Sequence, residues 1–329
     1  MELNGFGTVK QVMLVPRNGY INRLQAMASS SILADSVGAD FRVCWESDPV
    51  APAPFESLFN LSAFPPSTFV ASAEVEKLLG CSLGDFPRYV TSHVISGVGQ
   101  VVSLAGHDRG EQPLMAELAR VVGETDPVAL IIAAGGRFSL EAGSKPVTWD
   151  SPGFRAQRAN WYQKLMFTLE IESECAQSLS EPSLGLHLRY SDRSHQTPSR
   201  REIAAAVSQL VEQTGVSRVF IASDSAPERE WWRGKLRGMG IDAWSYLSQS
   251  PARSAGGAEL AMIDWRILSR TSGCVFFSES SYGYEAAVAS GCFESSISLD
   301  PNPLVSMRVR LRGHATNIVS APKRRGWIS

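Results

Sequence analysis

Cysteine is scarce in this sequence of 329 residues, and metal-ligand spacings are missing. The five cysteines are dispersed, odd in number and without a C-x-x-C pair, which argues against a disulfide framework and against a zinc ribbon. We interpret them as small buried residues. The five histidines are equally scattered, so no metal cluster can be assembled from local spacing.

Long hydrophobic runs and an excess of positive charge are also missing. No charge-free stretch of 18 apolar residues occurs, and the residues after Met1 contain no apolar core of a secretory signal. We therefore expect no integral membrane segment and a cytoplasmic protein. Since 31 Lys and Arg stand against 33 Asp and Glu, the formal charge of -2 predicts no binding to nucleic acid, and any anionic ligand must be held locally.

The composition is that of an ordinary globular protein, with 44% hydrophobic and 19% charged residues. A predicted strand at residues 11–15, a helix from about residue 22 to Gly38 and a strand at 41–45 form a β-turn-α-β unit, which is typical of parallel sheets. A helix is predicted over residues 156–179. Residues 180–183, which include a proline, are interpreted as a linker.

After this linker, strands and helices alternate more regularly. Strands are predicted at 184–188, 218–222, 243–247 and 274–277, and helices at 201–214, 227–238, 258–269 and 281–290. We therefore predict an α/β fold of two Rossmann-like domains, residues 1–180 and 181–329, that face a cleft. Ligands of such sheets bind beyond the carboxyl ends of the strands.

The first strand end is followed by Arg17-Asn18-Gly19 and a helix start. Gly19 lets the backbone approach a ligand closely, and a helix N-terminus offers free N–H groups. A tight turn with an asparagine cap needs no ligand and explains the same residues. Because the turn is not G-x-G-x-x-G, a dinucleotide site is poorly supported.

Two strand ends in the second half carry charged residues. His187 and Arg189 share one face of their strand, and an arginine there suits an anionic ligand because it can chelate phosphate oxygens. A surface salt bridge with Asp192 is the alternative. Asp224 ends the next strand, where its carboxylate can accept hydrogen bonds from a ribose or a guanine edge, or can cap the following helix.

A run of hydroxyls follows the strand at 274–277 and leads into a helix. Ser280 and Ser281, together with the free N–H groups of the helix N-terminus, can form an uncharged phosphate cradle. Capping alone explains one serine more easily than a run of them.

The order of these segments resembles the GDP-fucose-dependent fucosyltransferases, the group of α1,2-, α1,6- and protein O-fucosyltransferases and rhizobial chitooligosaccharide enzymes. Residues 187–192 resemble their H-x-R-R-x-D signature, and residues 19–24 with 33–38 are similar to their amino-terminal G-x-G-N-R-L helix. Residues 222–224 correspond to their A-[ST]-D motif and 280–281 to a serine pair. The chain departs from the pattern at Tyr190, where a second arginine is common, and at Ile21, where glycine is.

The resemblance implies a GT-B fold, with residues 1–180 on the acceptor side, residues 181–329 binding the nucleotide sugar, and a tail able to pack back on the first domain. It implies an inverting, metal-independent glycosyltransferase that moves fucose from GDP-fucose to a hydroxyl acceptor without a cofactor. The absence of a D-x-D motif agrees with this, because metal-dependent glycosyltransferases commonly use that motif to hold a divalent ion on the diphosphate. Without the ion, arginine would neutralise the charge on the departing GDP.

The resemblance also implies individual roles. On the donor side, Arg189 would bind the β-phosphate, His187 and Asp224 the guanosine, and Ser280 and Ser281 the diphosphate oxygens. Asp192 lies so close to Arg189 in the sequence that we expect it to orient this arginine. On the acceptor side, Asn22 would contact the sugar and the glycosidic oxygen, and Gly19 would permit close approach to the backbone. Arg23 would make a second phosphate contact or a structural contact.

The general base is the least constrained role. Glu46 directly follows the strand at 41–45 and is our hypothesis for it, with a solvent-exposed loop acid as the alternative and Asp108 as the second candidate. Two other functions stay open: a GT-B transferase that uses another nucleotide sugar, and a non-catalytic module that binds a nucleotide or glycan. The missing arginine at Tyr190 favours the last.

Overall fold

The computed structural model of the chain describes residues 8–85, 94–98, 101–105, 122–124, 126–137, 150–190, 198–246 and 254–300. Within these residues the strands form two sheets. No helix among them is long and apolar enough to cross a membrane. Asp192 and Asp108, two residues named above, lie outside the described part of the chain.

The first sheet consists of β1 (Gln11–Pro16), β2 (Asp40–Val43), β3 (Val94–Val98), β4 (Val101–Ala105) and β5 (Ala129–Ala134). Its order is β2-β1-β5-β4-β3, and its strands are parallel except for β3, which runs antiparallel to β4. Helix α1 (Tyr20–Val37) connects β1 to β2 and ends at Gly38, whose φ of 68° is left-handed. β1 and β5 are almost fully buried, as expected for central strands of a parallel sheet.

The second sheet consists of β6 (Leu184–Leu188), β7 (Arg218–Ser223), β8 (Asp242–Trp244), β9 (Cys274–Phe277) and β10 (Ile297–Leu299). All its strands are parallel, in the order β10-β9-β6-β7-β8. The short edge strand β10 is absent from the sequence-based prediction. The other α-helices whose bounds lie within the described residues are α2 (Ser72–Leu79), α3 (Pro152–Lys164), α4 (Leu169–Ser178), α5 (Arg200–Thr214), α6 (Ala226–Arg237), α7 (Ala255–Leu268) and α8 (Ser281–Ala289). The prediction of an α/β fold with two Rossmann-like sheets is confirmed.

The predicted single helix over residues 156–179 is wrong, because the chain forms α3 and α4 with an extended segment between them. Phe167 in that segment forms an antiparallel bridge with Phe59, and the Asn60 N–H donates to the Met166 carbonyl at 2.9 Å. Pairing with a distant segment therefore overrides the helical preference. The burial expected for cysteine is wrong for Cys81, which is exposed, and Cys292 is only partly buried; all five cysteines are free thiols.

The largest apolar core joins elements from both halves of the chain. Trp265 of α7 is fully buried, and its ring contacts the rings of Tyr162 (5.7 Å between centroids) and Phe167 (6.1 Å). α3 also packs on α8, and α4 packs on α7. The two sheets are thus connected by packed helices, while a domain boundary at residue 180 stays a prediction.

Candidate active site

Three neighbouring strands of the second sheet end beside one another. β6 lies between β9 and β7, and Leu188 is in register with Ser223. Because these strands are parallel, Arg189 after β6, Asp224 after β7 and Ser280 after β9 lie at the same edge. The structure thus brings together predicted donor-binding residues that lie up to 91 positions apart.

His187 lies beneath this edge and is 5% exposed. Its ring stacks on Tyr282 with 4.9 Å between centroids, and a Cβ at Gly283 would lie 2.9 Å from its Nδ1. Burial, together with the nearby charge of Arg189, lowers the pKa of His187 to about 3. The imidazole is therefore neutral, and it can offer a ligand no more than a ring edge.

Tyr190 packs on a different core from the one beside His187. Its hydroxyl accepts a hydrogen bond from Trp232 Nε1 (3.3 Å), and its ring packs on the core between the second sheet, α5 and α6. Burial raises the pKa of its hydroxyl. The departure from the H-x-R-R-x-D pattern therefore affects a side chain that packs in the core.

Asp224 anchors the loop after β6. Its Oδ1 accepts a hydrogen bond from the Tyr190 backbone N–H at 2.8 Å. Ser225 is the N-cap residue of α6. The observed contact is thus to the neighbouring strand end, and a guanosine contact by Asp224 stays a prediction.

Two buried ionisable side chains that the sequence analysis missed lie close to these groups. Arg229 is 2% exposed, and its guanidinium donates to the Ser223 carbonyl. Asp264 of α7 is 3% exposed; burial raises its pKa to about 8, and the charge of Arg229 opposes that shift. Both residues occupy predicted helices, where a charged residue by itself is expected to be exposed.

Ser280 and Ser281 begin α8. Ser280 is the N-cap residue and is 2% exposed, yet its Oγ has no hydrogen-bond partner among the described residues. Ser281 is partly exposed. A buried hydroxyl without a partner needs an explanation, and a ligand at the helix N-terminus supplies one if the Ser280 side chain changes rotamer.

The edge of the first sheet holds the other predicted residues. Gly19 is the N-cap residue of α1, and no described atom lies within 4 Å of where its Cβ would be. Asn18 before it has a left-handed φ of 65° and donates from Nδ2 to the Gly135 carbonyl at 2.8 Å. A Cβ at Gly135 would lie 2.2 Å from that nitrogen, so a larger residue there would displace the Asn18 side chain. Asn22, in the first turn of α1, is partly exposed.

Arg23 is fully buried, and each of its guanidinium nitrogens donates a hydrogen bond. The acceptors are the carbonyls of Asn18 (3.0 Å) and Glu46 (2.6 Å) and the carboxylate of Asp48 (2.8 Å). Burial lowers the pKa of Arg23, and the charge of Asp48 opposes this shift. Of the two roles expected for Arg23, its contacts favour the structural one.

Glu46 lies at this same edge and is ion-paired. Arg17 Nη1 contacts its carboxylate at 2.9 Å, and Arg17 also donates to the Leu83 carbonyl at 3.1 Å. Arg17 is 4% exposed, whereas the Glu46 side chain is 32% exposed. Glu46 is thus a positioned acid with access to solvent, and its role as general base stays a prediction. Arg17 was given no role in the predicted site, although it lies two positions after a predicted strand.

The described residues contain no group of three or more His, Cys, Asp and Glu side chains arranged to hold a metal ion.

No protein-family model and no curated protein sequence matches this chain. Its fold is similar to that of a mutant of fucosyltransferase FUT1 of Arabidopsis thaliana in complex with GDP, with a TM-score of 0.55 and 13% identity over 86% of this chain and 69% of that one. It is also similar to NodZ α-1,6-fucosyltransferase soaked with GDP-fucose, with a TM-score of 0.54 and 14% identity over 85% and 92% of the two chains. Selenomethionine NodZ from Bradyrhizobium gives a TM-score of 0.52 and 14% identity over 84% and 91%.

At these identities the similarity concerns the fold. The chain has the GT-B fold of these fucosyltransferases, as the resemblance of its motifs predicts.

Proposed function

We propose that this chain is a glycosyltransferase that moves fucose from GDP-fucose to a hydroxyl group of a glycan, a peptide or a small molecule. The observation that carries the proposal is the meeting of Arg189, Asp224 and the Ser280–Ser281 pair at one edge of the second sheet. Two structures of similar fold were determined with GDP or GDP-fucose, which supports the same donor here.

On the donor side, Arg189 contacts the β-phosphate and neutralises the charge that develops on the departing GDP. Ser281, Ser280 and the N–H groups of the first turn of α8 bind the diphosphate oxygens. The edge of the His187 ring and Asp224 contact the guanosine, and Asp192 orients Arg189. Arg189, the two serine hydroxyls and the N–H groups of α8 supply the charge stabilisation that a divalent ion would otherwise give, so we propose a metal-independent reaction.

On the acceptor side, Asn22 contacts the sugar and the glycosidic oxygen, while Gly19 leaves room for close approach. Glu46, held by Arg17, removes the proton from the acceptor hydroxyl. Attack from the face opposite the departing GDP inverts the anomeric centre in a single displacement. Residues 1–180 form the acceptor side of this arrangement and residues 181–329 the donor side.

Nucleotide selectivity tests the donor assignment directly. GDP at 100 times its dissociation constant should stabilise the folded chain by about 2.7 kcal/mol, and UDP and dTDP at the same concentration should have little effect. GDP release from GDP-fucose in water, without an acceptor, should then be measurable. An equal shift with UDP would contradict the GDP-fucose assignment.

Arg189→Ala tests the catalytic assignment. It should lower GDP release by about 100-fold or more, and Arg189→Lys should recover only part of it because a point charge does not reproduce the bidentate fork. Arg237→Ala, which removes an exposed arginine at the end of α6, is the matched control and should leave the rate unchanged. The wild-type rate should persist in excess EDTA; a loss that manganese or magnesium restores would refute metal independence.

A non-catalytic nucleotide-binding module is the second candidate, and Tyr190 in place of an arginine is the observation that favours it. The core packing of Tyr190 weakens this reading. GDP binding without any release of GDP from GDP-fucose would establish the module in place of the enzyme.

A further inference from the structure

A buried cluster of polar and charged side chains lies where α1, α3 and α8 meet. We call it the Glu285 cluster, and it consists of Gln25, Arg137, Asp150, Arg158, Tyr162 and Glu285. None of these residues has a role in the proposed reaction.

The Glu285 carboxylate is the centre of the cluster and is fully buried. Its Oε1 accepts a hydrogen bond from Gln25 Nε2 of α1 at 2.8 Å. Its Oε2 accepts from the Tyr162 hydroxyl at 2.9 Å and from Arg158 Nε at 3.3 Å, both on α3. One side chain of α8 therefore joins three helices.

The charges in the cluster balance. Arg158 is fully buried and makes two hydrogen bonds to the Asp150 carboxylate, at 2.6 and 2.9 Å. Burial by itself lowers the pKa of Arg158, but the charges of Glu285 and Asp150 raise it above its ordinary value. Arg137, in the loop after β5, lies 3.5 Å from Glu285 and 3.7 Å from Asp150. Two cations thus face two carboxylates.

The position of the Gln25–Glu285 bond relates it to the proposed reaction. Gln25 lies one helical turn after Asn22 in α1, and Glu285 lies one turn after Ser281 in α8. The bond therefore couples the two helices whose first turns carry the proposed sugar contact and the proposed diphosphate contact. Arg137 adds a contact from the edge of the first sheet to the same carboxylate.

Stability alone is a weak reason for such a cluster, because the desolvation of buried charges offsets much of their attraction. Hydrogen bonds are directional, however, and they define the relative position of two helices more closely than apolar contacts do. We propose that Glu285 is a positioning residue that, through Gln25, sets the position of the first turn of α8 relative to that of α1. The proposal rests on the proposed function, since Glu285 then sets the position of the diphosphate contact on α8 relative to the sugar contact on α1.

Gln25→Leu removes the α1 arm of the cluster at similar volume and leaves the bonds of Glu285 to α3. GDP affinity should stay within about twofold of wild type, whereas GDP release from GDP-fucose should fall about 10- to 100-fold, the effect of a small misplacement of reacting groups. Thr271→Val is the matched control, since it removes a buried hydroxyl that bonds to Leu268 O at 2.8 Å within one half of the chain. It should leave affinity and rate unchanged.

Exchange of the pair provides a rescue. Gln25→Glu sets two carboxylates against each other and should lower the rate further, and Gln25→Glu combined with Glu285→Gln should recover much of it, because the amide–carboxylate bond forms again with its direction reversed. A general loss of packing would not be repaired by this exchange, so absence of recovery would contradict the proposal.

A distance measurement separates this proposal from the proposed function. Spin labels on the exposed Cys81 and on Lys235→Cys, in a Cys292→Ser background, report on the two halves by pulsed electron resonance. We expect one narrow distance distribution in the otherwise unchanged chain and in Thr271→Val, and a shifted or broader one in Gln25→Leu. An unchanged distribution in Gln25→Leu would overturn the positioning role whatever the activity, whereas absence of GDP release by the wild type alone would overturn the proposed function.

Discussion

Replacement of Arg23 distinguishes a structural arginine from a phosphate ligand. Arg23→Met keeps the length of the stem but removes the charge and all the guanidinium donors. It leaves the Asp48 carboxylate, whose side chain is 9% exposed, without its ion-pair partner Arg23, and it removes the donors to the carbonyls of Asn18 and Glu46. The first turn of α1 then loses its attachment to the loop after β2.

The structure sets the expected magnitude. Removal of one partner from a buried ion pair costs about 3–5 kcal/mol, because the remaining charge stays buried. For a folding unit of 150–250 residues this corresponds to a fall in Tm of roughly 6–20 °C. Arg42→Met is the matched control in the same sheet: Arg42 is ion-paired with Glu74 at 2.9 Å, the two side chains are 22% and 46% exposed, and loss of such a surface pair costs about 0–1 kcal/mol.

Thermal unfolding followed by near-UV circular dichroism measures the loss, and calorimetric titration with GDP well below the lowered Tm measures binding. We expect a large fall in Tm with unchanged GDP affinity for Arg23→Met. The combination with Asp48→Asn should be less destabilised than the sum of the two single variants, since the unpaired charge is then absent. A variant that keeps its Tm but loses GDP binding would refute the structural role and make Arg23 a phosphate ligand.

The remaining predictions concern pH and one glycine. Asp264 has a pKa of about 8 in the folded chain and 3.8 in the unfolded chain, so the stability that it contributes is present below pH 3.8 and lost as the pH rises through 8. His187 has a pKa of about 3 in the folded chain and 6.5 in the unfolded chain, so its contribution is present above pH 6.5 and lost as the pH falls towards 3. Of these two groups, only Asp264 changes the stability between pH 6.5 and 8, so the free energy of unfolding measured in urea titrations should fall by about 1.4 kcal/mol per pH unit. Asp264→Asn should abolish this fall, and a slope that survives the substitution would assign it to another group. Gly19→Ala should change the free energy of unfolding by less than about 1 kcal/mol, because the new methyl group meets no described atom and the loss of glycine at an N-cap offsets the gain from a stiffer unfolded chain. The variant should still slow GDP release if the donor approaches that backbone. Gly234→Ala, on the exposed face of α6, is its control and should stabilise the fold by about 1 kcal/mol without changing the rate; equal rates in both variants would show that no ligand contacts Gly19.

Local patterns in the sequence determine most of the elements and the edge at which the candidate donor-binding residues meet. The apolar run of β6 and the left-handed glycine after α1 are local signals, and the structure contains both elements near the predicted bounds. Arg189, Asp224 and Ser280 lie one, two and three positions after the ends of the predicted strands 184–188, 218–222 and 274–277. Because parallel strands in an α/β sheet end at a common edge, their location at that edge could be predicted from the sequence, whereas their proximity depends on the strand order β9-β6-β7.

The tertiary structure alone decided which charged residues are buried and with which partners. The break between α3 and α4 depends on Phe59, more than 100 positions before Phe167, and nothing in the local sequence marks it. Glu285 lies in a helix that is buried on most of its surface, and its partner Gln25 is 260 positions away. A charge at helical spacing predicts an exposed face, and only the packing of three helices around Glu285 makes it a buried centre. Such pairings depend on interactions between side chains that the sequence separates, so periodicity and propensity, which are local properties of the chain, cannot identify them.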